Sequence, residues 1–140
     1  MKTFFYCLCM AALLNACNTS RNHTDPALET SITGINWYLS KIYLPSSNMD
    51  ISNRKSFIKF DAEKHSTGGN GGCNSFGSSY SLKGNVIAFK GVFSTKMYCE
   101  EFQKQEDAFF KQLELADKIE LKDSKLYLYR SEAVLLEFVK

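Results

Sequence analysis

The feature that most constrains the fold is a glycine-rich stretch from Gly69 to Tyr80, which holds four of the eight glycines in the chain. Glycine is used where the backbone must adopt a positive φ or approach other backbone closely. No Gly-Lys-Ser/Thr sequence follows the stretch, and the next residues alternate as in a strand, so it does not match a phosphate-binding loop. We therefore predict a turn or bulge between two strands.

The composition fits one compact, sheet-rich domain with a short appendage. The chain has 140 residues, of which 44% are hydrophobic and 14% aromatic, and it contains only two prolines. Its formal net charge is +2, with lysines and acidic residues interspersed along the sequence. A nucleic-acid-binding protein would need a basic stripe. Nucleic acid is therefore not an expected partner.

The first residues have the pattern of an export signal. A positively charged start precedes an apolar run from Phe4 to Leu14, which is too short for a membrane span of about 20 residues. A small residue then precedes Cys17, as in bacterial lipoprotein signals. We predict a signal peptide over residues 1–16 and a lipid-modified Cys17; the alternative is an ordinary secretory signal peptide. Residues 17–33 are predicted to be a flexible tether.

Lipidation would place the protein in the bacterial cell envelope. Several acyl chains on Cys17 would anchor it stably, because each buried CH₂ contributes about 0.8 kcal/mol. The residue after Cys17 is Asn18 and not the aspartate associated with retention in the inner membrane. We therefore expect the outer membrane.

Two cysteines remain for the folded domain, Cys73 and Cys99. An even number of cysteines in an oxidising compartment favours a disulfide. The alternative is two buried reduced thiols, because sequence does not show whether the two Cα atoms are close enough for a bridge.

Periodicity predicts eight antiparallel strands and one helix. Apolar residues alternate with polar ones in most segments, whereas residues 100–116 place phenylalanine and leucine at helical spacing. The predicted strands lie near residues 37–42, 56–61, 65–70, 80–82, 87–89, 119–121, 126–128 and 136–138.

Glu106 lies on or beside the apolar stripe of the predicted helix, four residues after Phe102 and three before Phe109. A functional interpretation makes it a general acid or base. We favour a structural carboxylate that accepts hydrogen bonds from backbone donors near the helix start or the glycine-rich turn, because no catalytic partner is evident. A hydrolase using Cys73 and His65 is a weaker hypothesis, and no metal site or cofactor is predicted.

These residues together resemble the META domain family of HslJ-like bacterial lipoproteins. The similarity covers about residues 34–140 and follows the family's order of elements. The residues that carry it are Cys73, Cys99, Gly69, Gly72, Asn74, Phe76, Tyr80, Thr95, Met97 and Glu106. The resemblance implies a mainly β (α+β) fold, an antiparallel, incompletely closed, calycin-like β-barrel of about eight strands interrupted by one α-helix. It also implies a connection with heat shock or another stress and no established catalytic activity.

Two functional hypotheses follow. The first is a non-enzymatic, monomeric, membrane-anchored module that docks an envelope protein, for example by strand addition at an exposed sheet edge. The second is a carrier or sensor of an apolar small molecule or lipid, bound in the groove between helix and sheet.

Overall fold

The structure, a computed structural model, describes residues 26–140 and contains two helices and nine strands in this range. The predicted signal peptide, Cys17 and the first part of the predicted tether lie outside the described residues. The elements in chain order are α1 (Pro26–Ile32), β1 (Trp37–Ile42), β2 (Met49–Asp50), β3 (Phe57–Asp61), β4 (Ser66–Asn70), β5 (Ser75–Lys83), β6 (Val86–Ser94), α2 (Gln103–Leu115), β7 (Lys118–Lys122), β8 (Lys125–Arg130) and β9 (Ala133–Val139).

The strands form one antiparallel sheet that nearly closes in a ring. Their order is β2-β1-β3-β4-β5-β6-β7-β8-β9, and β1 also pairs with β9. The weakest junction is between β6 and β7, where the described sheet has the single pair Val86 and Lys118. The single antiparallel sheet confirms the prediction of a mainly β, antiparallel fold. The ninth strand, β2, has two residues, too few to produce a period that sequence analysis can detect.

Aromatic and aliphatic side chains fill the inside of the ring. Trp37, Phe60, Phe109 and Phe138 are all nearly inaccessible to solvent. Phe109 comes from α2 and packs against Phe138 at a ring-centroid distance of 6.1 Å. Burying a side chain of this size contributes about 1.5–3 kcal/mol. The helix is therefore joined to the sheet by the main core.

The prediction of a flexible tether is wrong for residues 26–33. Pro26 begins α1, a position that suits its fixed φ. At the other end of the helix Ile32 is fully buried, and its carbonyl accepts a hydrogen bond from Trp37 Nε1 at 2.9 Å. Leu28, four residues before Ile32, also packs against the core. This short apolar face was not recognised as sufficient for a docked helix.

The predicted helix over residues 100–116 is confirmed as α2, which is slightly shorter at both ends. Leu113, like Phe109, is fully buried on its apolar face. In residues 26–140 neither helix has the length and hydropathy needed to cross a membrane.

Candidate functional site

The glycine-rich stretch contains a tight turn between β4 and β5. The Gly71 amide donates to the Asn74 carbonyl at 2.8 Å, and the Gly72 amide donates to Asn70 Oδ1 at 2.7 Å. Gly72 has a φ of 129°, a conformation that side chains disfavour. The predicted turn is confirmed, and it brings Asn74 to the start of α2.

Glu106 accepts three hydrogen bonds from this turn. Its Oε2 receives the amides of Cys73 at 3.1 Å and Asn74 at 2.6 Å, and its Oε1 receives the Asn74 side-chain amide. Only 3% of Glu106 is exposed. The favoured interpretation of this residue, a carboxylate that binds backbone donors of the glycine-rich turn, is confirmed.

Asn74 connects Glu106 to the segment after β6. Its Oδ1 accepts from Thr95 Oγ1 at 2.8 Å and from the Met97 amide at 2.7 Å, while its Nδ2 donates to the Met97 carbonyl at 2.9 Å. The buried Asn74 side chain therefore binds the Thr95 hydroxyl and both backbone polar groups of Met97. We call residues 95–99 the clamped loop.

A disulfide fixes the end of the clamped loop. Cys73 and Cys99 are bridged, with their Cα atoms 6.0 Å apart. The predicted disulfide is confirmed. Cys73 is therefore not a free thiol, which removes the nucleophile that the hydrolase hypothesis required.

Two glycines are needed for close approach. A Cβ atom at Gly69 would collide with the backbone carbonyl of Phe57 on the neighbouring strand. At Gly71 it would lie 2.6 Å from Glu106 Oε2 and 2.7 Å from Phe110 Cζ. The glycines thus let β4 and the turn reach their neighbours.

The other two motif residues support the core. Phe76 packs edge-on against Phe109 at 5.5 Å. Tyr80 donates its hydroxyl to Glu29 Oε1 at 3.0 Å, which attaches α1 to the sheet. Burial, together with this carboxylate, raises the pKa of Tyr80 well above its usual range.

Sequence analysis missed two polar residues of α2 that are buried. Gln105 donates from Nε2 to Ser56 Oγ at 2.6 Å. Gln112 donates from Nε2 to the Tyr43 carbonyl at 3.2 Å and lines a separate pocket. Each glutamine lies three residues after a phenylalanine of the apolar stripe. The test that identified Glu106 would therefore have found both.

A second buried carboxylate lies on β9. Glu137 accepts hydrogen bonds from Lys125 Nζ at 2.8 Å, Ser40 Oγ at 3.0 Å and the Tyr43 hydroxyl at 3.1 Å. Burial alone would raise the pKa of Glu137, but these three donors together hold it below the ordinary value. Sequence analysis missed this network, because Glu137 lies at a strand position where a solvent-facing polar residue is expected.

Large exposed apolar side chains occur at the end of β6 and in the clamped loop, and Val86 lies apart from them at the start of β6. Among the described residues, Val86, Phe93, Met97 and Tyr98 are 59%, 70%, 59% and 77% exposed. All of them belong to β6 or to the clamped loop. Phe93 also borders a groove of about 520 Å³ between β6 and α2, together with Phe110 of the helix.

The potential metal-binding and catalytic side chains are dispersed in the part of the chain that the structure describes. No group of three or more His, Cys, Asp or Glu side chains in residues 26–140 is arranged to hold a metal ion. His65 lies with its Nδ1 4.0 Å from Glu29 Oε1, on the side of the sheet where α1 attaches. It is therefore part of the α1 contact.

Comparison with known proteins identifies the family. The model of the META domain matches residues 30–140. A protein from Burkholderia xenovorans, solved by NMR, has a TM-score of 0.64 and 17% identity over 93% of this chain and 97% of its own. A second NMR structure has a TM-score of 0.58 and 17% identity over 79% and 93%. No curated protein sequence matches significantly. At these identities the two structures establish the fold alone, whereas the family match covers most of the sequence. The chain belongs to the META domain family.

Proposed function

We propose that this protein is a lipid-anchored envelope protein whose META domain is a non-enzymatic docking module for a protein partner, in a stress-related role. The observation that carries the proposal is the exposure of Phe93, Met97 and Tyr98 beside a rigid support. Aromatic residues and methionine are enriched in the centres of protein interfaces. Neighbouring exposed apolar side chains of this size are a feature of interaction sites.

The support makes the surface suitable for binding. The buried Asn74 side chain fixes the backbone of Met97 on both its amide and its carbonyl, and the disulfide fixes Cys99. Tyr98 lies between these two restraints. Because the loop is already ordered, binding would not incur the entropy of ordering it, which would otherwise weaken affinity. The motif residues Asn74, Cys73 and Cys99 thus hold the loop in a conformation that exposes Met97 and Tyr98.

The adjoining strand supports docking by strand addition. Beyond Val86, β6 has no strand partner on the side of β7 within the described sheet. The groove beside it is bordered by Phe93 and Phe110, and by both basic and acidic side chains. Lys96, Lys111, Asp107 and Glu114 are the charged residues of this groove. An extended peptide could therefore find backbone partners, an apolar contact and charges of either sign.

The remaining parts of the proposal come from the sequence. A lipid on Cys17 would hold the domain at the membrane surface, with the outer membrane as the expected location.

The non-enzymatic part of the proposal rests on the motif. Its internal polar groups form hydrogen bonds with one another, as between Glu106 and Asn74. That arrangement supports a structural role for them.

The experiment is site-specific photo-crosslinking in living cells that express the full-length chain. A photoreactive phenylalanine analogue replaces Tyr98 in one variant and Phe93 in another. The matched control replaces Val86, which is equally apolar and 59% exposed but lies at the other end of β6. We expect a discrete adduct with an envelope protein at Tyr98 and Phe93 and none at Val86. Absence of adducts at Tyr98, or equal adducts at Val86, would contradict the proposal.

The second hypothesis placed an apolar ligand between helix and sheet. In the structure Phe109 and Leu113 of α2 are fully buried in that position. This packing favours docking over a ligand held inside the ring.

A further inference from the structure

A pocket of about 600 Å³ lies at the second half of α2. It is formed where the loop after β1 meets the helix and the turn between β8 and β9. This volume is within the range of about 300–1,000 Å³ that is typical of small-molecule sites. The pocket is separate from the clamped loop and from the motif residues.

The wall of the pocket is mainly apolar. It is contributed by three parts of the chain that are distant in sequence, which makes it a product of the tertiary fold. The apolar residues lining it are Leu44, Pro45, Leu115, Ala133, Val134 and Leu135. Such a surface favours an aliphatic or aromatic body over a polar one.

Two cations border the pocket, Lys111 and Arg130, and no acidic residue lines it. Neither cation forms an ion pair with any residue that the structure describes. The acid next to Ala133 in sequence, Glu132, is paired with Lys118 at 3.6 Å. Neither charge is paired at the pocket, so the two cations favour an anionic group there; the acids near Lys111, Asp107 and Glu114, line the neighbouring groove and not this pocket.

Gln112 provides an independent sign of a missing partner. It lines the pocket and is 6% exposed. Its Nε2 donates to the Tyr43 carbonyl, but its buried Oε1 has no hydrogen-bond partner among the described residues. Buried acceptors are normally paired. Because Oε1 itself is closed to solvent, a bound molecule with an O–H group would supply the donor after a small shift of the Gln112 side chain.

We propose that this pocket binds a hydroxylated fatty acid. The aliphatic chain would cover the apolar wall, the carboxylate would lie at Lys111 and Arg130, and the hydroxyl would donate to Gln112 Oε1. Because Lys111 and Gln112 both line this pocket, the hydroxyl should be close to the carboxylate along the ligand. The proposal does not depend on the docking function, which uses different residues, except that Lys111 also borders the groove beside β6.

The test is a titration followed by ¹H–¹⁵N NMR, using the mature chain with Cys17→Ser to remove the anchor and its acyl chains. The probes are 3-hydroxydecanoate, decanoate and 1,3-decanediol. We expect saturable shifts at residues 43–48 and 133–135 with 3-hydroxydecanoate. Decanoate should bind roughly 3- to 10-fold more weakly, since it lacks one hydrogen bond. The diol, which lacks the charge, should bind at least about tenfold more weakly than 3-hydroxydecanoate.

Variants separate the contributions. Arg130→Gln should weaken 3-hydroxydecanoate binding by roughly tenfold, and it tests this pocket without affecting the groove beside β6. The matched control Lys122→Gln removes an exposed cation of β7 and should leave affinity unchanged. Gln112→Met should abolish the preference for the hydroxylated acid over decanoate. Absence of saturable binding, equal binding of the diol, or equal weakening by Lys122→Gln would overturn the proposal.

Discussion

The two ends of α2 treat buried polar side chains in opposite ways. Near its start, Glu106 and Gln105 make hydrogen bonds to the glycine-rich turn and to Ser56. Farther along the same helix, Gln112 is equally enclosed but leaves its Oε1 without a partner among the described residues. The difference separates polar groups whose hydrogen bonds the fold completes from one whose acceptor the fold leaves unpaired, which is the acceptor that we propose a ligand uses.

The largest expected effect tests this difference directly. Glu106→Ala leaves the backbone amides of Cys73 and Asn74 without their acceptor and removes one of the two hydrogen bonds that the Asn74 side-chain amide donates. We expect the free energy of unfolding to fall by about 3–5 kcal/mol. Gln112→Met is similar in shape and removes an unpaired acceptor together with one hydrogen bond, to the Tyr43 carbonyl, so it should cost less than about 1.5 kcal/mol. Urea denaturation of both variants checks this, and equal losses would break the comparison.

Removal of the disulfide should lower the stability of the whole domain and add a local effect only at the first end of the helix. The bridge spans a sequence separation of 26 residues. In the chain-entropy model, replacing both cysteines by alanine costs about 3.5 kcal/mol. Hydrogen exchange should accelerate in the clamped loop and stay unchanged, relative to the global loss, at residues 43–48. Equal acceleration in both places would show that the two ends are coupled.

Gly71→Ala sharpens the comparison by testing how tightly the first end is packed. The added methyl group would press on Glu106 Oε2 and Phe110. We expect a loss of about 1–3 kcal/mol. Ala133→Val, at the exposed start of β9 beside the pocket, should change stability by less than about 0.5 kcal/mol. Thermal denaturation of the pair measures the contrast, and an unaffected Gly71→Ala variant would contradict it.

The smallest expected effect is a pH dependence of the free energy of unfolding, caused by Glu137 of β9. This residue lies near the second end of α2, because Tyr43 contacts both Glu137 and Gln112. The pKa of Glu137 is lower in the folded than in the unfolded state, because Lys125, Ser40 and Tyr43 donate to it. The unfolded state therefore binds the proton first as the pH falls. The stability that Glu137 contributes is present above its ordinary pKa of 4.5 and is lost below it, as the pH falls through the folded-state value.

Glu137→Gln should flatten this acid limb of the stability curve. Measuring the urea midpoint of wild type and variant between neutral and acid pH checks the slope. Parallel curves would show that Glu137 does not contribute to it.

Local pattern was sufficient for much of the fold. Alternation in β1 and β3, and helical spacing of phenylalanines in α2, correspond to the faces that are buried. Glu106 was identifiable because a charged residue interrupts an apolar stripe. Its partner turn was identifiable because glycines are concentrated there.

The rest depended on contacts between distant segments. The segment containing α1 has too few apolar residues to indicate burial, yet Ile32 is covered by the sheet. The pocket brings together residues of the 43–48 loop, α2 and β9, which no local period connects. Gln112 was visible as a polar residue on the stripe, but its missing partner is a property of the tertiary structure.

The pairing of β1 with β9 has a consequence for biogenesis. Tyr38 lies opposite Val139, so the first and final strands of the ring are about 100 residues apart in sequence. A nascent chain therefore cannot close the ring until β9 has been synthesised. Before that point β1 lacks one of its neighbours, so the ring can be completed only after the whole domain has been synthesised.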